Sequence, residues 1–387
     1  MKLTPVITAE ASPTIAINSL ALQKKAAGER VYNLSAGEPM LPPHPAIVAA
    51  AQAAITEGKT LYTPAAGIPE LRAAAAEWLK TNYAATYSPE EVLVTCGGKF
   101  GLFACLQTFI SKGDQVLIPA PYWVSYPSLV TLFKGEPVIV PTLNQHDWKV
   151  TPEQLEERRT RHTKFVIINN GGNPTGVLYS RQELKNILLW AVAHDVMVIS
   201  DEVYSGLTFD GREYVSMASF SGYKENCIII QSCSKHFAMT GWRVGFVFAS
   251  TQIIGALSTL QSQSTTGTSS ISQWAAVGAF QNSPSIIEYV RSAVCKRRDV
   301  FVTTFNSLFQ APITAPAAGL YCFIPLAAFG SKWHGSLAFC HELITKANIA
   351  LVPGAAFGND AYVRASFGAS EQELIESLQA LRNYLYT

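Results

Sequence analysis

The run Gln231-Ser-Cys-Ser-Lys-His-Phe-Ala-Met-Thr-Gly-Trp-Arg243 sets a lysine between two serines and an arginine. An amine attacks an aldehyde only while it is neutral. Burial beside a guanidinium, which keeps its own proton, lowers a lysine pKa. Lys235, eight residues before Arg243, therefore suits Schiff-base chemistry. Ser232, Ser234 and Arg243 offer hydroxyls and a fixed cation to a phosphate. On this stretch alone, a solvated loop lysine is an equal reading.

The elements that must hold these residues tip the balance. Cys-Ile-Ile-Ile at 227–230 is an apolar run of buried-strand type, and similar runs occupy 92–95, 115–118, 137–140, 164–168, 196–200 and 244–250. Helical stretches such as 102–110 and 182–194 lie between them. Apolar strands alternating with helices predict an α/β fold, its mostly parallel sheet covered on both faces. Gly97-Gly98-Lys99, Asn173, Asp201 and Lys235 each fall at the carboxyl end of such a strand. Open α/β sheets build their sites there. After about residue 285 come a long helix bearing Arg291, Lys296, Arg297 and Arg298, short strands and a closing helix near 371–385. We expect an N-terminal arm contributing to a small domain at 1–45, a large domain at 46–290 and a small α/β domain at 291–387.

Composition narrows the function. The 29 basic and 28 acidic residues leave a net charge of +1, so no strong field draws nucleic acid or an anionic membrane. No stretch approaches the ~20 apolar residues of a spanning helix. The start, Met1-Lys-Leu-Thr-Pro5, lacks a secretory pattern. Seven scattered cysteines without a Cys-x-x-Cys pair read as reduced cysteines of a cytoplasmic protein. The dispersed histidines offer no zinc spacing, so no metal is expected.

Seven ordered motifs add a resemblance over nearly the whole chain. They are Tyr62-Thr-Pro-Ala-Ala-Gly-Ile-Pro-Glu-Leu-Arg72, Pro121-Tyr-Trp-Val-Ser-Tyr126, Asn173-Pro-Thr-Gly176, Asp201-Glu-Val-Tyr204, Ser234-Lys235 with Gly241-Trp-Arg243, Gln261-Ser-Gln-Ser-Thr265 and Val363-Arg-Ala-Ser-Phe367. Together they resemble the fold-type I, pyridoxal-phosphate-dependent aminotransferases of class I, bacterial aspartate aminotransferases above all. The resemblance implies a large domain that binds pyridoxal 5′-phosphate, and a role for each residue. Lys235 forms the internal aldimine and then shuttles a proton between substrate Cα and cofactor C4′. Asp201 pairs with the pyridine nitrogen. Asn173 and Tyr204 bond the phenolic oxygen, and Trp123 stacks on the ring. Gly98, Lys99, Ser232, Ser234 and Arg243 hold the phosphate at a helix amino terminus. Tyr62 reaches the phosphate of a neighbouring subunit, implying a homodimer with shared sites. Arg364 grips the substrate α-carboxylate, the Gly37 N–H closes over it, and Lys99 receives a distal carboxylate. Plainer readings stand beside these: a strand-closing Asp201, a turn-forming Asn173, a core Trp123, a local aromatic staple at Tyr62 and a solvated Lys99.

The implied reaction moves the amino group of aspartate or glutamate to a 2-oxo acid by a ping-pong route. Aromatic or prephenate transamination is the alternative, with a carbon–sulfur lyase behind it. A transcription regulator of this fold would need an added DNA-binding segment. Two departures from the family pattern, Asn170-Gly171-Gly172 and Met40-Leu41, fall near the expected substrate side.

Overall fold

The computed structural model describes residues 13–143, 147–330 and 333–386. The segment Met1–Pro5 lies outside them. The apolar runs become strands of one seven-stranded sheet: β2 (Val92–Thr95), β3 (Gln115–Ala120), β4 (Glu136–Pro141), β5 (Thr163–Asn169), β6 (Met197–Asp201), β7 (Cys227–Ser232) and β8 (Gly245–Phe248). The two-residue β1 (Tyr32–Asn33) precedes them in the chain. The order across the sheet is β2-β8-β7-β6-β5-β3-β4.

Only β8 runs against the others, pairing antiparallel with β7 and with β2. A parallel return usually runs through a crossover helix, and the loop between β7 and β8, residues 233–244, holds only a 3₁₀ turn, Thr240–Trp242. That loop carries Lys235.

Side chains alternate between the two faces, as the period of two requires. Ile229, Phe246 and Phe248 join one buried cluster, while Ile228, Ile230 and Val247 join the other. Both faces are dry, and this explains why the strands read as continuous apolar runs.

The rest of the chain builds two small sheets. In one, β11 (Val352–Pro353), β12 (Tyr362–Ser366) and β9 (Tyr321–Pro325) lie side by side, β12 central. In the other, β1 pairs in parallel with β10 (Ile349–Ala350). The Ser366 N–H donates to the Leu34 carbonyl at 2.7 Å, tying β12 to the segment that leads into Ser35 and Gly37. The basic stretch after residue 285 lies on one long helix, Ser283–Leu308, packed on the closing helix Glu371–Tyr386. Among the described residues no helix is long and apolar enough to cross a membrane.

Candidate active site

The carboxyl ends of β2, β5, β6 and β7 open into a cavity of about 330 Å³. Lys235, Asp201, Tyr204, Gly98, Lys99, Trp123, Asn173, Ser232, Ser234, Arg243, Gly37 and Arg364 all line it. Tyr62 does not. It stands 95 % exposed beside exposed Leu61, so the local aromatic staple is ruled out.

Among the described residues, Lys99, Lys235, Arg243 and Arg364 face only Glu38 and Asp201 across this space, leaving two cationic groups in excess. Such an excess suits a ligand that brings phosphate or carboxylate. At one end, Gly97 caps the helix Gly98–Phe109 with φ +81°, and Gly98 and Lys99, in the first turn whose N–H groups lack intrahelical partners, line the cavity. A Cβ on Gly97 would collide with the Arg243 guanidinium, so only glycine lets that cation reach the helix terminus. Ser232 Oγ lies 2.8 Å from Ser234 Oγ and accepts from the Ser234 N–H at 3.1 Å. Together these groups form a cradle for a phosphate.

Asp201 ends β6 and is buried. Burial pushes its carboxyl up to about 6, although a 2.6 Å hydrogen bond from the Tyr126 hydroxyl, the Val203 N–H and the charge of Lys235 pull it down. A buried carboxylate still short of a full counter-charge suits a protonated ring nitrogen. Lys235 Nζ donates to the Gly37 carbonyl and sits 5.8 Å from the Tyr204 ring centroid. Gly37 thus turns its oxygen to Lys235, whereas the sequence reading gave its N–H to substrate.

Arg364, central in β12, is 3 % exposed. Its Nη1 donates to Asn173 Oδ1 at 3.0 Å and its Nη2 to the Ser35 carbonyl at 2.7 Å, while its buried Nε–H has no partner among the described residues. Its guanidinium lies 4.2 Å from the Tyr321 ring centroid, and no ion pair to it is seen among the described residues. A buried cation with an orphan donor is costly unless a carboxylate completes it. Because Arg364 can only donate, the oxygen of the Asn173 amide must face it. The Nδ2 group of Asn173 is then left to donate into the cavity, as an anionic phenolic oxygen requires.

Lys99 Nζ lies 4.8 Å from the Trp123 ring centroid and keeps part of its surface open to solvent. Its pKa is depressed, first by burial and then by Arg243 and Lys235.

The two sequence departures lie elsewhere. Neither Met40-Leu41 nor Asn170-Gly171-Gly172 lines the cavity. The glycines shape the turn. Gly171 takes φ +68°, and a Cβ on Gly172 would strike the Asn169 amide, whose Oδ1 accepts from the Asn173 N–H at 3.0 Å. Asn170 is buried, donating to the Val215 carbonyl and accepting from the Tyr179 N–H. Together they fix the approach to Asn173.

The donor set fits pyridoxal phosphate: a phosphate cradle, a buried acid for the ring nitrogen, an amide donor and a lysine. A scan of family models matches residues 29–381 to "Aminotransferase class I and II". The chain belongs to the class I and II aminotransferases. Members of this family depend on pyridoxal phosphate and act on amino acids and 2-oxo acids. The chain is 37 % identical to the aspartate aminotransferase of Geobacillus stearothermophilus, over 97 % of this chain and 96 % of that one. It is 35 % identical to a probable aspartate/prephenate aminotransferase of Aquifex aeolicus, with the same coverage of 97 % and 96 %. The solved aspartate aminotransferase of Thermus thermophilus with maleate superposes with a TM-score of 0.94 at 33 % identity, covering 99 % of both chains.

The aminotransferase cavity also contains residues that sequence reasoning did not single out. Tyr126 holds Asp201, Asn169 positions Asn173, and Tyr321 lies under Arg364. Tyr126 carried a usable signal, since it closes the Pro121–Tyr126 motif three residues after Trp123. Tyr321 carried none.

Proposed function

We propose that this aminotransferase moves the amino group of aspartate or glutamate to a 2-oxo acid such as 2-oxoglutarate or oxaloacetate, by a ping-pong route. The observation that carries this reading is Lys99, a second cation besides Arg364 lining the same cavity of about 330 Å³. The names of the Geobacillus and Thermus relatives support it.

When bound, pyridoxal phosphate supplies an electrophilic carbon and a ring that takes up electrons. Asp201 would hold the proton on the ring nitrogen. Asn173 Nδ2 and the Tyr204 hydroxyl would donate to the phenolic oxygen. Lys235 Nζ would take the proton from substrate Cα and return it at cofactor C4′. Arg364 would bind the α-carboxylate and Lys99 the distal one. The Ser35–Pro39 segment, bound to Arg364, Lys235 and Thr240, would exclude water. We assign the large domain to residues 46–290 and the small domain to 291–387 with part of 1–45. We also propose a homodimer in which exposed Tyr62 enters the partner's site, and seven free cysteines support action in the cytoplasm.

Prephenate as acceptor is the second reading, favoured by the name of the Aquifex relative. Prephenate also carries two carboxylates, so Lys99 serves it equally. A panel of amino donors against 2-oxoglutarate, oxaloacetate and prephenate tests both readings. Preference for neutral donors and acceptors would overturn them.

Two substitutions separate the carboxylate sites. Lys99→Met should lower kcat/KM for aspartate and glutamate ten- to a hundredfold more than for alanine or phenylalanine, because a charge-assisted hydrogen bond contributes about 1.5–3 kcal/mol. Equal losses would strip Lys99 of its substrate role. Arg364→Ala should cost every amino acid on the order of a hundredfold, from the loss of one partner of a desolvated pair. A loss confined to aspartate would reassign Arg364 to the distal carboxylate.

A further inference from the structure

We propose that Tyr321 is a positioning residue for transamination: its hydroxyl holds the Tyr204 hydroxyl toward the cofactor's phenolic oxygen. This rests on the role given to Tyr204 above, and the test separates the two.

Tyr321 begins β9, paired with Ser366 of β12, and its ring lies under the Arg364 guanidinium. Tyr321 is 2 % and Tyr204 5 % exposed. Their hydroxyl oxygens are 3.2 Å apart, and the rings meet edge to face at 6.1 Å. The backbone crowds the same oxygen, since a Cβ placed on Gly37 would lie 2.6 Å from it. The Tyr321 oxygen is thus confined between Tyr204 and the segment that covers Lys235.

A hydroxyl donates one hydrogen bond and accepts two. The Tyr204 hydroxyl donates to Tyr321 in this structure. Once Tyr204 directs its single proton to the phenolic oxygen, Tyr321 must become the donor, or the Tyr204 oxygen is left buried without one. The surrounding charges favour that exchange. Burial drives Tyr204 well above its ordinary pKa, with Tyr321 and Asp201 adding to the rise and Arg364 opposing it. Burial also pushes Tyr321 up, but Lys235, Arg364 and the Tyr204 hydrogen bond outweigh it and Glu38, leaving Tyr321 below its ordinary value. The stronger acid is the better donor, and a donor into the Tyr204 oxygen sharpens Tyr204 as a donor in turn. Hydrogen bonds to the phenolic oxygen compete for its negative charge with the proton on the Lys235 nitrogen. Weakening them makes that proton harder to remove.

The experiment titrates the absorption of the bound cofactor against pH, without substrate, in the wild-type holoenzyme, Tyr321→Phe, Tyr204→Phe and the double variant. Phenylalanine at 321 keeps the ring beneath Arg364 and deletes only the hydroxyl. The midpoint should rise by roughly half a unit to one unit in Tyr321→Phe, the size of one neutral hydrogen bond, and further in Tyr204→Phe. The double variant should match Tyr204→Phe, because Tyr321 acts only through Tyr204. Maleate, used as a non-reacting dicarboxylate, should bind Tyr321→Phe within about twofold of wild type, its contact with Arg364 being intact. An unmoved Tyr321→Phe midpoint beside a shifted Tyr204→Phe overturns the proposal alone, as do additive shifts in the double variant or a large loss of maleate affinity. An unmoved Tyr204→Phe midpoint removes the role of Tyr204 and this proposal with it.

Discussion

Lys235→Ala should lower kcat on the order of 10⁴-fold, the upper range for a positioned general base, and should also remove the covalent hold on the cofactor. Lys235 is the only lysine of the cavity set on the loop between β7 and β8, where the Asp201, Tyr204 and Gly37 walls meet. Lys99, at the start of the helix Gly98–Phe109, projects over Trp123 on another wall. Borohydride reduces a carbon–nitrogen double bond to a stable single bond. Treated wild-type protein should therefore carry the cofactor's mass on the peptide of Lys235, and the variant on none. Label on the peptide of Lys99, or a variant turning over at wild-type rate, would show that the wrong lysine has been assigned.

Residues that end strands were the legible part of this site. Asp201 ends its strand, Lys235 and Asn173 lie in the turns that follow theirs, Gly98 opens the helix after its own, and the parallel sheet brings the carboxyl ends of those strands to one edge. Reversal of β8 was hidden because its own run, 244–250, looks like any buried strand. Direction is set by what the preceding loop contains, here one 3₁₀ turn and no crossover helix, rather than by the pattern of the strand. Contacts made across the chain were not legible at all. Tyr126 meets Asp201 across 75 residues and Tyr321 meets Tyr204 across 117, and no local periodicity encodes such meetings. Glu202 makes the same point. Beside Asp201 in the motif it was given no role, yet it is fully buried, bonded by Ser200, Ser216 and the Met217 N–H, and pushed up to about 7 by burial.

Asp201→Asn should move activity and apoprotein stability in opposite directions. The Asp201 carboxyl is raised from 3.8 to about 6 in the fold, chiefly by burial. Since the folded value lies above the unfolded one, the native chain holds this proton more tightly than the unfolded chain does. Stability from this group is therefore full below pH ~4, falls as pH rises to ~6, and stays low above. The difference of about two pH units amounts to roughly 3 kcal/mol against the apoprotein at pH 8, since one unit is 1.36 kcal/mol. Asparagine carries no charge to desolvate, and its Oδ1 can still accept from the Tyr126 hydroxyl. The variant apoprotein should accordingly melt several degrees above wild type at pH 8 and at about the wild-type temperature at pH 4. The holoenzyme pays the opposite way. Without the carboxylate, the ring nitrogen loses the charge that keeps it protonated. Breaking such a buried pair costs about 3–5 kcal/mol, so the single-turnover rate with cofactor and substrate saturating should fall on the order of 10³-fold. Thermal melts of both apoproteins across pH, beside those single-turnover rates, decide the matter. Wild-type turnover in the variant would reduce Asp201 to a strand-closing residue, and a melting temperature unchanged at pH 8 would mean that its carboxylate is not strained in the empty site.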